Sequence, residues 1–125
     1  MIDSIELVIW GRAFNLPMEY NCYDGEVITS AQNKALTNFI SHKEWIENAK
    51  RVVEEYCKED VVADEENLKK GNIFSYVKPE CIFVKHEENP RIALMCKYRY
   101  DSEHGLAVVF SSYGEITVGQ QDMIL

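Results

Sequence analysis

The chain has 125 residues, is 46% hydrophobic and 27% charged, and carries a formal net charge of −8. That is the make-up of one ordinary globular domain, residues 1–125, large enough for a single core. The acidic balance argues against nucleic acid and anionic membrane as partners, because both need a basic footprint.

The opening "MIDSIELVIW" has no basic n-region, and its apolar run is short and broken by acids. It does not read as a signal peptide. No window reaches the roughly 18 apolar residues of a membrane span. A cytoplasmic chain with reduced thiols is expected.

Residues 5–10 are short, apolar and β-branched, and predict a strand. Residues 13–20 alternate, with Phe14, Leu16 and Met18 on one side. Pro17 cannot donate to a ladder, which predicts an edge or a bulge there. Asp24 and Gly25 mark a turn. Thr29 and Gln32 then form a capping-box pair, followed by Ala35, Leu36, Phe39 and Ile40 at helical spacing. Ser41 and Glu44 repeat the pair ahead of Trp45, Ile46, Ala49, Val52, Val53, Tyr56 and Cys57. Two consecutive helices are predicted, over 29–40 and 42–58, with a bend near Ser41.

Residues 58–70 are polar and acidic and read as a helix end and a solvated loop. Glu54, Glu55, Glu59, Asp60, Asp64, Glu65 and Glu66 crowd this region. They are the candidate docking patch for a basic protein partner. Residues 72–77 predict one apolar helical turn or a packed loop. Strands follow over 81–86, 91–100, 106–112 and 115–119, joined by short turns. Successive strands on short loops pair antiparallel.

The fold class is therefore α+β: an antiparallel β-meander sheet of about five to six strands, packed against two consecutive helices on one face. Alternation predicts Cys81 and Phe83 on the face of Ile92, Leu94, Cys96, Tyr98 and Tyr100. Met95, Lys97 and Arg99 fall on the wet face. In that register Cys81 lies opposite Cys96, close enough to crosslink under oxidation.

Chemistry is sparse. Cys22, Cys57, Cys81 and Cys96 form no C-x-x-C pair, and His42 and His86 show no ligand spacing. No nucleophile elbow or phosphate loop is present. No catalytic residue, metal or cofactor is predicted, and an enzyme is the less favoured reading. The one constellation is "DSEHG", where Asp101, Glu103 and His104 precede Gly105. It predicts a strand-to-strand turn with glycine at positive φ. One alternative is a structural hydrogen-bond knot, with Asp101 or His104 tying the hairpin to the chain end. The other is an enzyme or ligand-binding or metal-binding site using Asp101, Glu103 and His104 with Gln121 and Asp122. Tyr98 and Tyr100 flank Arg99 nearby, as interface anchors or as the edge of the core.

From Tyr100 onward the chain resembles a family of small bacterial domains of unknown function. The resemblance rests on Tyr100, Asp101, Glu103, His104 and Gly105, then Val118, Gly119, Gln121 and Asp122. Gly25, Glu26, Thr29, Gln32 and Ala35 fit more loosely. Family members usually carry Trp-Asp where Tyr100 and Asp101 stand here. The resemblance implies architecture, with the E-H-G turn and the Q-D tail in one structural unit. Some such domains lie near toxin–immunity modules.

The functional expectation is a small acidic intracellular protein-interaction domain, in one form an immunity-type inhibitor of a bacterial toxin. A homodimer through an edge strand near Pro17 is a further possibility.

Overall fold

The structure, a computed structural model, describes residues 4–20, 28–64 and 72–125. Cys22, the turn at Asp24 and Gly25, and the acids Glu65 and Glu66 lie outside the described residues.

β1 (Ser4–Ile9) and β2 (Arg12–Tyr20) form a hairpin. Trp10 and Gly11 make its two-residue turn, both at positive φ, 49° and 86°. Such a turn matches the twist of the flanking strands. Gly11 adopts it without strain. Trp10 is held there because its indole is buried and donates from Nε1 to Ile46 O at 2.8 Å.

A turn of this kind makes Ile9 and Arg12 a hydrogen-bonded pair, and the ladder alternates from there. Pro17 pairs with Ser4, at a non-hydrogen-bonded position, so its missing N–H costs the hairpin nothing. β2 as a whole is not the expected edge strand, since it lies between β1 and β3, but its ladder with β3 covers only Met18–Tyr20 and Pro17 falls outside it.

α1 (Ser30–Ser41) opens on the capping box. Thr29 Oγ1 accepts from Gln32 N at 3.1 Å, and Gln32 Oε1 accepts from Thr29 N at 3.0 Å. Gln32 is fully buried and also donates from Nε2 to Val84 O, tying the helix start to the sheet.

The second capping box does not form. α2 (Glu44–Ala63) begins after Lys43 with no side-chain cap, and Ser41 Oγ donates back to Asn38 O instead. α2 also runs past residue 58. Half-buried Val61 continues the stripe of Ile46, Ala49, Val53 and Cys57 at helical steps, so residues 59–63 are helix rather than loop.

A short 3₁₀ turn (Ile73–Ser75), capped by Asn72, leads into β3 (Val77–Val84). β4 (Ile92–Tyr98), β5 (Leu106–Phe110) and β6 (Ile116–Gly119) follow. The six strands lie in chain order in one sheet. All neighbours are antiparallel except β2 and β3, which run parallel because the two helices carry the chain back across the sheet. The fold is α+β with both helices packed on one face.

The register of β3 against β4 differs from the alternation estimate by one residue. Cys81 pairs with Met95, and Cys96 pairs with Pro79 across a bulge between Pro79 and Cys81. The β3–β4 connection is a residue longer than expected, with Lys85 N donating to Arg91 O and Glu87 clamping Arg91 through its carboxylate. A slip of one residue exchanges the two faces of a strand.

The sheet is buried on both sides at its centre. Ile82, Val84, Ile92, Leu94 and Cys96 meet the helices, together with Phe39, whose ring centroid is 5.1 Å from that of Phe110. Phe83, Ala93, Met95, Ala107, Val109 and Ile124 form a second cluster on the far face, with Cys81 against it. Met95 is therefore buried and not wet, whereas Lys97 and Arg99 are exposed. Cys81 and Cys96 belong to opposite faces and do not confront each other.

Candidate functional site

The loop from β4 to β5 is built on Asp101. Its carboxylate accepts from the His104 backbone N–H at 3.2 Å and faces the His104 ring Nδ1 at 3.0 Å. Gln120 Nε2 donates to its other oxygen at 3.2 Å. Desolvation pushes the Asp101 carboxyl up, but these hydrogen bonds from His104 and Gln120 outweigh it and hold the pKa below 3.8. The same contact with Asp101 raises His104 above 6.5, and the charges of Glu103 and Asp122 add to the rise.

Gly105 turns the chain at φ 63°. A Cβ there would stand 2.6 Å from Gln121 Nε2 and 3.0 Å from Cys96 O. The space is taken because Gln121 crosses the loop. Its backbone N–H donates to His104 O at 3.0 Å and its Nε2 to Cys96 O at 2.9 Å. Residues 101–105 and the tail around the 3₁₀ turn Gln121–Met123 thus form one hydrogen-bonded clasp, with buried Ile124 as its apolar anchor. Asp122 contributes charge to His104, and Glu103 is exposed.

The acidic segment divides in two. Asp60 Oδ2 accepts from Tyr98 OH at 2.6 Å, and Asp64 Oδ2 accepts from Tyr100 OH at 2.9 Å. Arg99 Nε also lies 3.3 Å from Asp64. These two acids fasten the end of α2 to β4. The rings of Tyr98 and Tyr100 meet edge-on at 5.5 Å, and Tyr56 and Tyr76 flank them.

Burial raises Tyr98 far above its ordinary value, with the Asp60 carboxylate and Cys57 adding to it. Burial likewise pushes Cys57 up to about 11, against a lowering hydrogen bond from Tyr98. A thiol so raised stays protonated and is a poor nucleophile.

Glu54, Glu55 and Glu59 remain exposed on α2. Two apolar side chains stand among them, Tyr56 at 41% and Val62 at 59% exposure. Glu55, Glu59 and Val62 follow at steps of four and three and so share one helix face. A shallow groove beside them is lined by Arg51, Val52, Glu55, Tyr56 and Val118.

A second, larger groove of about 710 Å³ lies between the β1–β2 hairpin and the start of α2. Neither groove is lined by residues 101–105. Among the described residues, no group of three His, Cys, Asp or Glu side chains is arranged to hold a metal ion. Nor is any described helix long and apolar enough to cross a membrane.

Sequence reasoning did not foresee that Asp60 and Asp64 serve Tyr98 and Tyr100. The partners stand 38 and 36 positions apart, and no local pattern joins them. It also missed Gln120, whose amide completes the Asp101 shell. The only signal was its place beside Gln121.

No curated protein matches the chain, and no solved structure does. Residues 4–125 match a family described as a domain of unknown function, DUF6985, and the chain belongs to that family.

Proposed function

We propose that this domain is a small acidic protein-interaction module that takes a basic partner on the outer face of α2. The observation that carries this reading is exposed Val62 on one outer face of α2 with Glu55 and Glu59, with part-exposed Tyr56 on the flank of that face toward Tyr98. Interfaces concentrate energy in aromatic anchors ringed by polar groups, and complementary charge speeds encounter. Asp60 and Asp64 are instead engaged by Tyr98, Tyr100 and Arg99. An inhibitor that masks a basic catalytic face of a toxin is one form of this function.

The loop of residues 101–105 acts in this reading as a structural clasp. Its carboxylate and imidazole engage each other, and Gln120 of the C-terminal tail donates to the carboxylate.

The test is capture from source lysate by the tagged protein, washed at low and moderate salt. The wild type retains a basic protein at low salt. Glu55→Gln with Glu59→Gln, and separately Tyr56→Ala, lose it. Retention unchanged in both variants overturns the reading.

A further inference from the structure

We propose that the open edge of β1, with the groove beside it, takes an extended basic segment of a partner protein as an added strand. Among the described residues β1 pairs only with β2. The hairpin register turns the backbone groups of Ile5, Leu7 and Ile9 toward β2, which leaves those of Ser4, Glu6 and Val8 facing outward. Outward N–H and C=O groups are the template for strand addition, where the ladder gives affinity and alternate side chains give specificity.

The edge lacks strong protection. Val8 is 62% exposed, and the only charge on this strand is Glu6. The groove adjoining it has an apolar floor of Leu7, Phe14 and Ile46, of which Leu7 and Phe14 are only half-buried. The helix layer does not fully roof the hairpin. Glu6, Glu44 and Glu47 line the groove against the single cation Lys43.

That balance selects the occupant. A strand alternating apolar and basic side chains covers the floor with one set and meets Glu6, on the sheet face away from the helices, with the other, while Glu44 and Glu47 add negative charge on the floor's own side. A second copy of this chain fits less well, because antiparallel pairing about the middle of β1 brings one Glu6 toward the other, and like charges across a ladder repel. The α2 docking face lies toward the other end of that helix, so the two surfaces are tested independently.

The experiment titrates isotope-labelled full-length protein with a synthetic peptide of about ten residues alternating valine and lysine, the length of a long strand. A valine–glutamate peptide is the control, and backbone amide spectra are the readout. The expected result is shifts and new solvent protection at Ser4, Glu6 and Val8, with the acidic peptide inert.

Val8→Pro removes an outward N–H while sparing the ladder to β2, and weakens binding at least about tenfold. Val8→Lys, at an exposed site that cannot disturb the core, does the same by charge. Glu55→Gln with Glu59→Gln leaves binding unchanged. The proposal is overturned by absence of binding, by equal binding of the acidic peptide, by wild-type affinity in both Val8 variants, or by shifts confined to the outer face of α2. A concentration-dependent dimer that Val8→Lys dissolves also overturns it, in favour of a second copy at this edge.

Discussion

Gly105 shows how one missing methyl holds two segments together. Its φ of 63° alone disfavours any other residue, by about 1–2 kcal/mol. The close approach of Gln121 adds a second cost, since an alanine Cβ would lie 2.8 Å from Gln121 Cδ. The amide must then leave Cys96 O, and a lost hydrogen bond of this kind costs about 1 kcal/mol. Gly105→Ala is therefore expected to destabilise by about 2–3 kcal/mol in urea unfolding. In a Gln121→Ala background the same change should cost about 1 kcal/mol less, because only the backbone strain and the 3.0 Å approach to Cys96 O remain. Strictly additive effects would show that Gln121 does not occupy that space in solution. Gly11 is the contrast: its φ is 86° but nothing lies within 4 Å, so a substitution there meets strain alone. The positive φ of Gly105 was legible from its place after Asp101 and Ser102. The reason it tolerates nothing larger was not, because it depends on a residue from the end of the chain.

At the scale of elements, the junction of α2 with β4 carries the most distinctive electrostatics. Tyr98 and Cys57 are both held protonated by burial, Cys57 at about 11 against an ordinary 9.0. A group whose pKa rises on folding contributes stability that is complete below its unfolded pKa and is lost as pH climbs toward the folded one. Melting temperature should therefore fall above pH 9, as Cys57, Cys81 and Cys96, all raised by burial, begin to titrate in the unfolded chain, and more steeply above pH 10, where Tyr98 and Tyr76 join them. Tyr98→Phe should cost about 1.5–2 kcal/mol at neutral pH, through loss of the bond to Asp60, and should flatten the decline above pH 10. An unchanged alkaline slope in that variant would remove Tyr98 from the account. The apolar stripe of α2 was readable from the spacing of Ile46, Ala49, Val53 and Cys57. Its true end was not, because the acidic residues after Cys57 look solvated until Tyr98 and Tyr100 are placed beside them. The face assignment of β3 failed for a related reason, whereas Ile92, Leu94, Cys96 and Tyr98 of β4 do meet the helices as alternation predicts. One extra residue in a connection inverts a strand, and composition does not report loop length to that accuracy.

For the whole molecule, the class was legible from the order of strands, helices and strands, and the parallel seam between β2 and β3 was not. Nothing in either strand marks it; it follows from where two helices deliver the chain. Charge acts at this same scale. The net charge of −8 is unevenly spread, with Glu54, Glu55 and Glu59 exposed in the C-terminal half of α2, where the helix dipole also disfavours acids. Raising salt from about 0.01 M to about 0.15 M shortens the screening length from about 30 Å to about 8 Å. Self-repulsion should then weaken, and the wild type should melt higher. Glu55→Gln with Glu59→Gln should melt higher than wild type at low salt, by about 0.5 kcal/mol, and respond less to added salt. A wild type that melts lower in salt would mean that ion pairs such as Arg91 with Glu87 and Arg99 with Asp64 outweigh the repulsion. The combination that supports the proposed function is specific: the same two glutamates weaken the fold at low salt and hold a basic partner there. Local charge that disfavours folding without a structural return is what a binding surface requires. Neutralising it should raise the melting temperature and abolish capture in one step.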